Sequence, residues 1–277
     1  MPEGDTIFRA ARTLHQALAR KTVTHFETVL PALERVHIDQ TVTGRTIESV
    51  MARGKWMLVT LSGDLILLTH MLMSGSWHIY RKSETWKRSR YHMRIVLETA
   101  DFVAVGFNVP VAEFHTAASL ARRQGFNALG PDVLSHEFDE AAALAQLQSR
   151  PDLYVGEALL CQSLLAGIGN VYKSEVAFAC RVHPFRSVHS LTDSELLCLI
   201  RTARKYLKVN VADTSGDKIV TYTGLRRTTG RSDPSERLWV YGRRGDPCRK
   251  CGALIESRKQ GEGARTTFWC PNCQPLT

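Results

Sequence analysis

The chain has 277 residues, 44% of them apolar, with 36 Lys and Arg against 27 Asp and Glu, for a formal net charge of +9. That is enough for about two domains with real cores. The basic excess suggests a polyanionic partner, nucleic acid foremost, with an anionic membrane or simple solubility left as alternatives by composition. No apolar run reaches the ~18–20 residues of a membrane span, and Arg9, Arg12, Arg20 and Lys21 interrupt any signal-peptide core. The chain therefore reads as cytoplasmic.

The N-terminus begins Met1-Pro2-Glu3-Gly4. Removal of Met1 would leave Pro2 as a secondary amine. An α-amino group titrates near ~7.7–8.0, so roughly a tenth is neutral at pH 7, and a neutral amine can attack a carbonyl-type carbon to form a Schiff base. Glu3 adds a carboxyl that can take or give a proton. An ordinary frayed terminus is the competing reading. Residues 5–20 are expected as a helix, with Asp5 or Thr6 as cap and Ile7, Ala11, Leu14 and Leu18 on one face.

Over residues 21–115 the period changes to that of short strands. These are expected at Val42-Ile47-Val50, Trp56-Leu61, Leu65-Leu68, Trp77-Tyr80, Met93-Leu97 and Phe102-Phe107, which suggests a sandwich or barrel. Arg53-Gly54-Lys55 reads as a hairpin turn, and Lys55 is either solvated or available to a phosphate or a proton transfer. Between two strands, His70-Met71-Leu72-Met73-Ser74-Gly75 has long apolar side chains beside a glycine. They can fill core gaps or insert between the bases of kinked DNA.

Helical pattern returns at Ala117. The stretch 117–134, ending in Leu129-Gly130-Pro131-Asp132, reads as a linker, followed by helices at 137–148, 153–165, 172–179 and 191–206, the last capped by Thr192 or Ser190. Leu165-Ala166-Gly167-Ile168-Gly169-Asn170 is a glycine-rich turn between two helices, with Asn170 either capping the second or contacting DNA. Residues 211–245 are expected as a basic, mobile loop with a short ordered stretch at Leu238-Tyr241. Of the seven cysteines, Cys161, Cys180 and Cys198 read as buried free thiols.

The other four form Cys248-x-x-Cys251, 18 residues, then Cys270-x-x-Cys273. That is the spacing of a closed, structural four-thiolate zinc site, one Zn²⁺ per chain. Between the pairs, residues 264–269 would form a hairpin strand, with Arg265 near its tip, solvated or aimed at a phosphate. The other histidines show no metal spacing, and none is assigned to catalysis.

Together, Met1-Pro2-Glu3-Gly4, Arg53-Gly54-Lys55, His70 through Gly75, Gly130-Pro131-Asp132, Gly167-x-Gly169-Asn170 and Tyr241-Gly242-Arg243 through Cys273 resemble the formamidopyrimidine-DNA glycosylase/endonuclease VIII family over essentially the whole chain. The resemblance implies an α+β fold: an N-terminal β-sandwich with flanking helices (1–116), the linker (117–134), a helix–two-turn–helix DNA-binding domain with its basic loop (135–240) and a four-Cys zinc-ribbon finger (241–277), with DNA in the cleft between. It also implies a bifunctional DNA glycosylase/AP lyase acting as a monomer on double-stranded DNA that contains damaged bases or abasic sites, nucleoid-associated when bound. Pro2 would be the Schiff-base nucleophile and Glu3 the proton carrier at the sugar. Lys55 would bind phosphate and assist β-elimination, and Arg265 would grip phosphate and assist δ-elimination. Asn170 would bind backbone phosphate, and Leu72 and Met73 would fill the gap left by a flipped base.

The stretch Phe107 through Glu113 lacks the Arg-Phe wedge of the oxidised-purine branch, so the chain looks like the endonuclease VIII branch, acting mainly on oxidised pyrimidines. The same chemistry with purine preference, and a non-catalytic zinc-finger DNA-binding protein, remain the alternatives. The chain departs from the family at Asp5-Thr6, in place of Pro-Glu, which bears on lesion preference. It also departs at Ala128, where a basic DNA contact is common and Arg123 would have to substitute.

Overall fold

Helix α1 (Gly4–Leu18) forms because Ile7, Ala10, Ala11, Leu14, Ala17 and Leu18 recur on one face and all are buried. A computed structural model describes residues 2–212, 226–231 and 233–276; Met1 and part of the basic loop expected over 211–245 lie outside the described residues. Neither Asp5 nor Thr6 caps α1, contrary to expectation. The extended residue Glu3 is the N-cap, and its carbonyl accepts from the N–H groups of Thr6 and Ile7. Asp5 sits inside the first turn, fully buried, 3.6 Å from Arg9. A carboxylate there faces the positive end of the helix dipole.

Eight strands and a second helix follow: β1 (His25–Thr28), α2 (Pro31–Asp39), β2 (Ile47–Arg53), β3 (Trp56–Leu61), β4 (Leu65–His70), β5 (Ser76–Arg81), β6 (Met93–Glu98), β7 (Phe102–Phe107) and β8 (Val111–His115). They make two antiparallel four-stranded sheets, in the orders β1-β6-β7-β5 and β2-β3-β4-β8. Alternate residues point inward. Val50, Met57, Val59, Leu61, Leu65 and Leu67 of one sheet join Phe26, Trp77, Ile79, Ile95, Leu97 and Ala104 of the other, and the buried face of α1, in a single core. Inside it the Trp77 indole donates to Thr69 Oγ1, joining β5 to β4 at 3.2 Å. A smaller cluster on the outer face of the first sheet, with Phe107 and Met93, is covered by Trp86.

The expected linker contains a short helix, α3 (Ala117–Ala121), closed by a capping box between Thr116 and Ser119. Two compact units separate between Ala128 and Leu129.

The second unit holds α4 (Glu140–Gln148), α5 (Val155–Leu160), α6 (Asn170–Ala179), α7 (Asp193–Ala212) and the hairpin β9 (Glu256–Gln260) and β10 (Arg265–Trp269). Asp139 caps α4, and Thr192 with Glu195 forms a capping box on α7. The helix expected over 153–165 stops at Leu160. Beyond it Gln162 spends its side chain on the carbonyls of Leu160 and Ile168 and the N–H of Gly167, which fixes a loop instead. Gly130 runs beside that loop: a Cβ there would lie 2.5 Å from the Ser163 carbonyl. Cys180 and Cys198 are not free thiols. They form a disulfide between the end of α6 and α7, with Cα atoms 6.0 Å apart. Cys161 is free but only half-buried. Among the described residues no helix is long and apolar enough to cross a membrane.

Candidate active site and nucleic-acid grip

In the first unit α1 runs antiparallel to β2. The Arg20 N–H donates to the Ile47 carbonyl, and the Val50 N–H donates to His15 Nδ1. Stepping back toward the helix start therefore steps forward along β2. From His15 to Gly4 the helix rises about 16 Å, and from Val50 to Gly54 the strand covers about 13 Å. The first turn of α1 and the β2–β3 turn thus lie at the same end of the unit. Pro2 is half-buried immediately before that first turn, and Glu3 is fully buried. Gly54 and Lys55 form a two-residue turn between the paired Arg53 and Trp56. Gly54 takes φ +58°, a conformation that favours glycine, and Lys55 is half-buried.

His70, at the end of β4, lies beside Lys55 and against Trp56, ring centroids 4.7 Å apart. Burial, then the charges of Lys55 and Arg123, push its imidazole down to about 4. It is neutral at pH 7. Its Nδ1 accepts the Leu72 N–H at 3.0 Å, so Nε2 carries the proton and is the donor. A neutral donor beside a lysine suits an anion without adding a further charge to bury. The sequence put His70 in a motif and gave it no role.

The following loop splits its apolar residues. Met71 is buried in the core, whereas Leu72 and Met73 are 48% and 58% exposed, with Leu72 at φ +43°. The loop closes on Gly75, whose N–H reaches the Met71 carbonyl; a Cβ there would lie 2.7 Å from that oxygen. Of the two roles weighed for the loop, core filling falls to Met71, and Leu72 and Met73 are left on the surface. Arg123, the candidate for a substitute contact, is engaged within its own unit. Its guanidinium makes two 2.9 Å bonds to Glu113, a third bond to the Gln124 carbonyl, and stacks over Trp56. The β7–β8 connection is Asn108-Val109-Pro110, with Val109 buried.

In the second unit Gly167 turns the chain at φ +101°, and Gly169 is the N-cap of α6. Asn170 is therefore the first helical residue rather than the cap. It is 7% exposed, and its Nδ2 donates to the Thr266 carbonyl at 3.0 Å while its Oδ1 has no partner among the described residues. Arg265, next to Thr266, opens β10 and is exposed. The fold thus brings Asn170 up against the residue beside Arg265.

The four finger cysteines meet as their spacing requires. One sulfur from each lies within 4.8 Å of all the others, with Cys248–Cys273 at 3.9 Å and Cys251–Cys270 at 3.4 Å. A tetrahedral ion with bonds of about 2.3 Å needs sulfur–sulfur edges of about 3.8 Å. The N–H groups of Lys250 and Cys273 point at Cys248 Sγ and Cys270 Sγ, which favours thiolates. The donor set fits a structural metal with no open position.

Residues 1–110 match the formamidopyrimidine-DNA glycosylase N-terminal domain, 129–221 the H2TH domain of that glycosylase and 245–276 the zinc finger found in FPG and IleRS. A probable endonuclease 8 2 of Streptomyces coelicolor is 40% identical over 277 residues, 99% of this chain and 94% of that protein. The chain belongs to the formamidopyrimidine-DNA glycosylase/endonuclease VIII family. This glycosylase is also 36% identical to the DNA-(apurinic or apyrimidinic site) lyase Nei2 of Mycolicibacterium smegmatis, over 99% of both chains. It is 32% identical to a formamidopyrimidine-DNA glycosylase of Heliobacterium modesticaldum, over 99% of this chain and all of that one. In fold it matches Lactococcus lactis Fpg in complex with abasic-site DNA, with a TM-score of 0.81 over 99% and 100% of the two chains at 23% identity. The family is one of DNA glycosylases that are also AP lyases, and the chain is an enzyme of that kind.

Proposed function

We propose that the enzyme excises oxidised bases, mainly pyrimidines, from double-stranded DNA through a Schiff base at Pro2 and cuts the strand by β,δ-elimination. The observation that carries this reading is the start of α1: a half-buried Pro2 followed by a fully buried Glu3, at the same end of the unit as Lys55 and neutral His70.

With Met1 removed, the Pro2 nitrogen attacks C1′ of the damaged nucleotide. The bond to the base breaks and the base leaves with a proton that Glu3 helps to carry. The sugar ring then opens as the C1′–O4′ bond breaks, with O4′ taking a proton from Glu3, and the resulting iminium between Pro2 and C1′ acidifies the C2′ proton. Its removal, assisted by Lys55, expels the 3′ phosphate, and a second elimination, assisted by Arg265, expels the 5′ phosphate. Water then releases the sugar fragment from Pro2. One covalent intermediate thereby serves both base removal and strand scission. Base flipping costs a few kcal/mol, less for a damaged pair, and Leu72 and Met73 would occupy the vacated stack. Asn170 and Arg265 would hold the phosphate backbone. Zn²⁺ on Cys248, Cys251, Cys270 and Cys273 would fold the finger and take no part in the reaction.

Pyrimidine preference is supported by the short β7–β8 connection, where Asn108, buried Val109 and Pro110 offer no long side chain to fill the space opposite a flipped purine. The endonuclease 8 names of two relatives point the same way. We also propose a monomer with the domain division 1–116, 117–134, 135–240 and 241–277.

The test is borohydride trapping on an abasic-site duplex. Wild type is expected to give a covalent adduct, and protein with Met1 retained none; no adduct with mature wild type would leave only a DNA-binding role. Thymine glycol and dihydrouracil duplexes should be cut faster than 8-oxoguanine duplexes, and the opposite order would move the enzyme to the purine branch.

A further inference from the structure

The face of α6 that begins with Asn170 is bonded, residue by residue, to strand β10. Asn170 Nδ2 donates to the Thr266 carbonyl, Lys173 Nζ to Thr267 Oγ1 at 2.8 Å, and the Phe268 N–H to Ser174 Oγ. Positions 170, 173 and 174 lie three and four apart, on one helical face, and they meet three consecutive residues of the strand.

Lys173 is unusual among them as a lysine whose side chain is fully buried. A lysine is rarely buried unless its ammonium is hydrogen-bonded or paired. Here the partner hydroxyl passes the interaction on. Thr267 Oγ1 donates to Gln260 Oε1 on β9 at 2.8 Å, and Gln260 Nε2 donates to the Pro184 carbonyl at 2.9 Å. The chain of bonds therefore crosses both strands of the hairpin and returns to the segment after α6. Gly156 on α5 makes room for it, since a Cβ there would lie 2.2 Å from Gln260 Oε1.

We propose that Lys173 is a positioning residue for DNA binding: it locks β10 against α6 so that Asn170 and Arg265 are presented as one phosphate grip. The Asn170 amide has two N–H bonds. Thr266 takes one and thereby aims the other, and Arg265 precedes Thr266 on the same strand. The inference rests on the proposed role of Asn170 and Arg265 in gripping phosphate.

The experiment measures affinity for a duplex carrying a non-cleavable tetrahydrofuran abasic analogue, as a function of salt. Lys173→Met is expected to weaken binding about tenfold and to reduce the slope of log K against log[salt] by about 1–2. The borohydride trapping rate at saturating enzyme should stay within about threefold. Thr267→Val should reproduce the loss, Thr267→Ser should restore it, and the Lys173→Met/Thr267→Val double variant should lose no more than either alone. If Lys173→Met fails to fold or to retain its metal, the Thr267 pair carries the test by itself. Wild-type affinity and salt slope in Thr267→Val would overturn the proposal, as would equal losses in Thr267→Val and Thr267→Ser. Asn170→Ala and Arg265→Ala separate the two readings. If they bind as wild type does, the phosphate grip itself fails; if they weaken binding while Thr267→Val does not, only the role of Lys173 fails.

Discussion

In the N-terminal unit, the residues proposed for chemistry ride on elements anchored by apolar burial. Pro2 and Glu3 are fixed because α1 buries Ile7, Leu14 and Leu18 against the sandwich, and Lys55 because β2 and β3 bury Val50, Met57 and Val59. In the C-terminal unit, Asn170 and Arg265 sit on elements joined by buried polar groups: Asn170, Lys173, Ser174, Glu175, Gln260 and Thr267 are all at least nine-tenths buried. Apolar contacts are non-directional and lose stability by degrees, whereas a buried polar network fails as a set, since each lost partner leaves another group unsatisfied. The contrast suits the two tasks. A nucleophile needs a fixed base and a tip with room to move, while a grip on successive phosphates needs fixed distances.

The largest effect expected in the first unit is on rate. Glu3→Gln keeps the shape of a fully buried side chain and removes the proton transfer proposed for it, so single-turnover base release should fall by about 10²–10⁴-fold. Affinity for the abasic-analogue duplex should stay within about twofold. A variant that loses affinity and rate together would mean that Glu3 acts through the fold, and the contrast between the units would lose its first half.

The counterpart in the second unit is Glu175. Its carboxylate accepts from the N–H groups of Trp239, Val240 and Tyr241 at 2.8–2.9 Å, and from the Thr228 hydroxyl. It thus holds the segment 239–241 that leads into the finger. Glu175→Ala would leave three N–H groups without their acceptor. The Val240 N–H is buried and the other two partly so; a buried orphan costs about 1–3 kcal/mol and one that water can reach costs less, so a loss of about 3–5 kcal/mol is expected in denaturant unfolding of this unit, with metal released at lower denaturant. A loss below about 1 kcal/mol would show that water replaces the carboxylate and that the network is not a set.

The same contrast explains what could be read from the sequence. Strands β3 and β7 were legible as short, nearly continuous apolar runs, the face of α1 because its helical periodicity points into a large core, and the finger because metal geometry constrains cysteine spacing. Unpredicted were β1, α2 and β8. Phe26 is the one fully buried residue of β1 and Leu33 that of α2, while every residue of β8 is half-buried, so none shows an alternation. Their partners, not their own patterns, decide them. The Cys180–Cys198 bond joins two helices, and both cysteines have the local sequence of a packed thiol. Lys173 and Glu175 look like the polar side of a helix. Only the docking of β10 and of residues 239–241 turns that side inward. Periodicity reports apolar burial and is blind to polar burial, which is why the network behind the proposed grip was less legible than the elements behind the proposed active-site end.

Acid should separate the units by a smaller margin. In the first unit burial pushes both His70 and His78 down to about 4, helped by Lys55 and Arg123 at His70 and by Arg88 and Lys87 at His78. Both ordinarily titrate at 6.5. Between those values the unfolded chain binds protons that the folded chain refuses, so this stability is complete above pH 6.5 and is lost as pH falls toward 4. Each histidine is worth a few kcal/mol at most. Glu113, held down to about 2 mainly by its hydrogen bonds to Arg123, adds a second loss as pH falls from 4.5 toward 2. Its side chain is 38% exposed, so screening keeps that part below about 1 kcal/mol. In the second unit burial, then Arg258, also lowers His183, so the difference is one of degree: two such histidines against one. Hydrogen exchange followed region by region at pH 7.5 and pH 5 should show protection falling more in residues 2–128 than in 129–276, and His70→Gln should remove about half of the excess. Equal loss in both regions would mean that the acid response is global rather than set by these two imidazoles. A break near pH 6.5 in the activity profile that disappears in His70→Gln would mean that His70 is charged where burial and its cationic neighbours require it to be neutral.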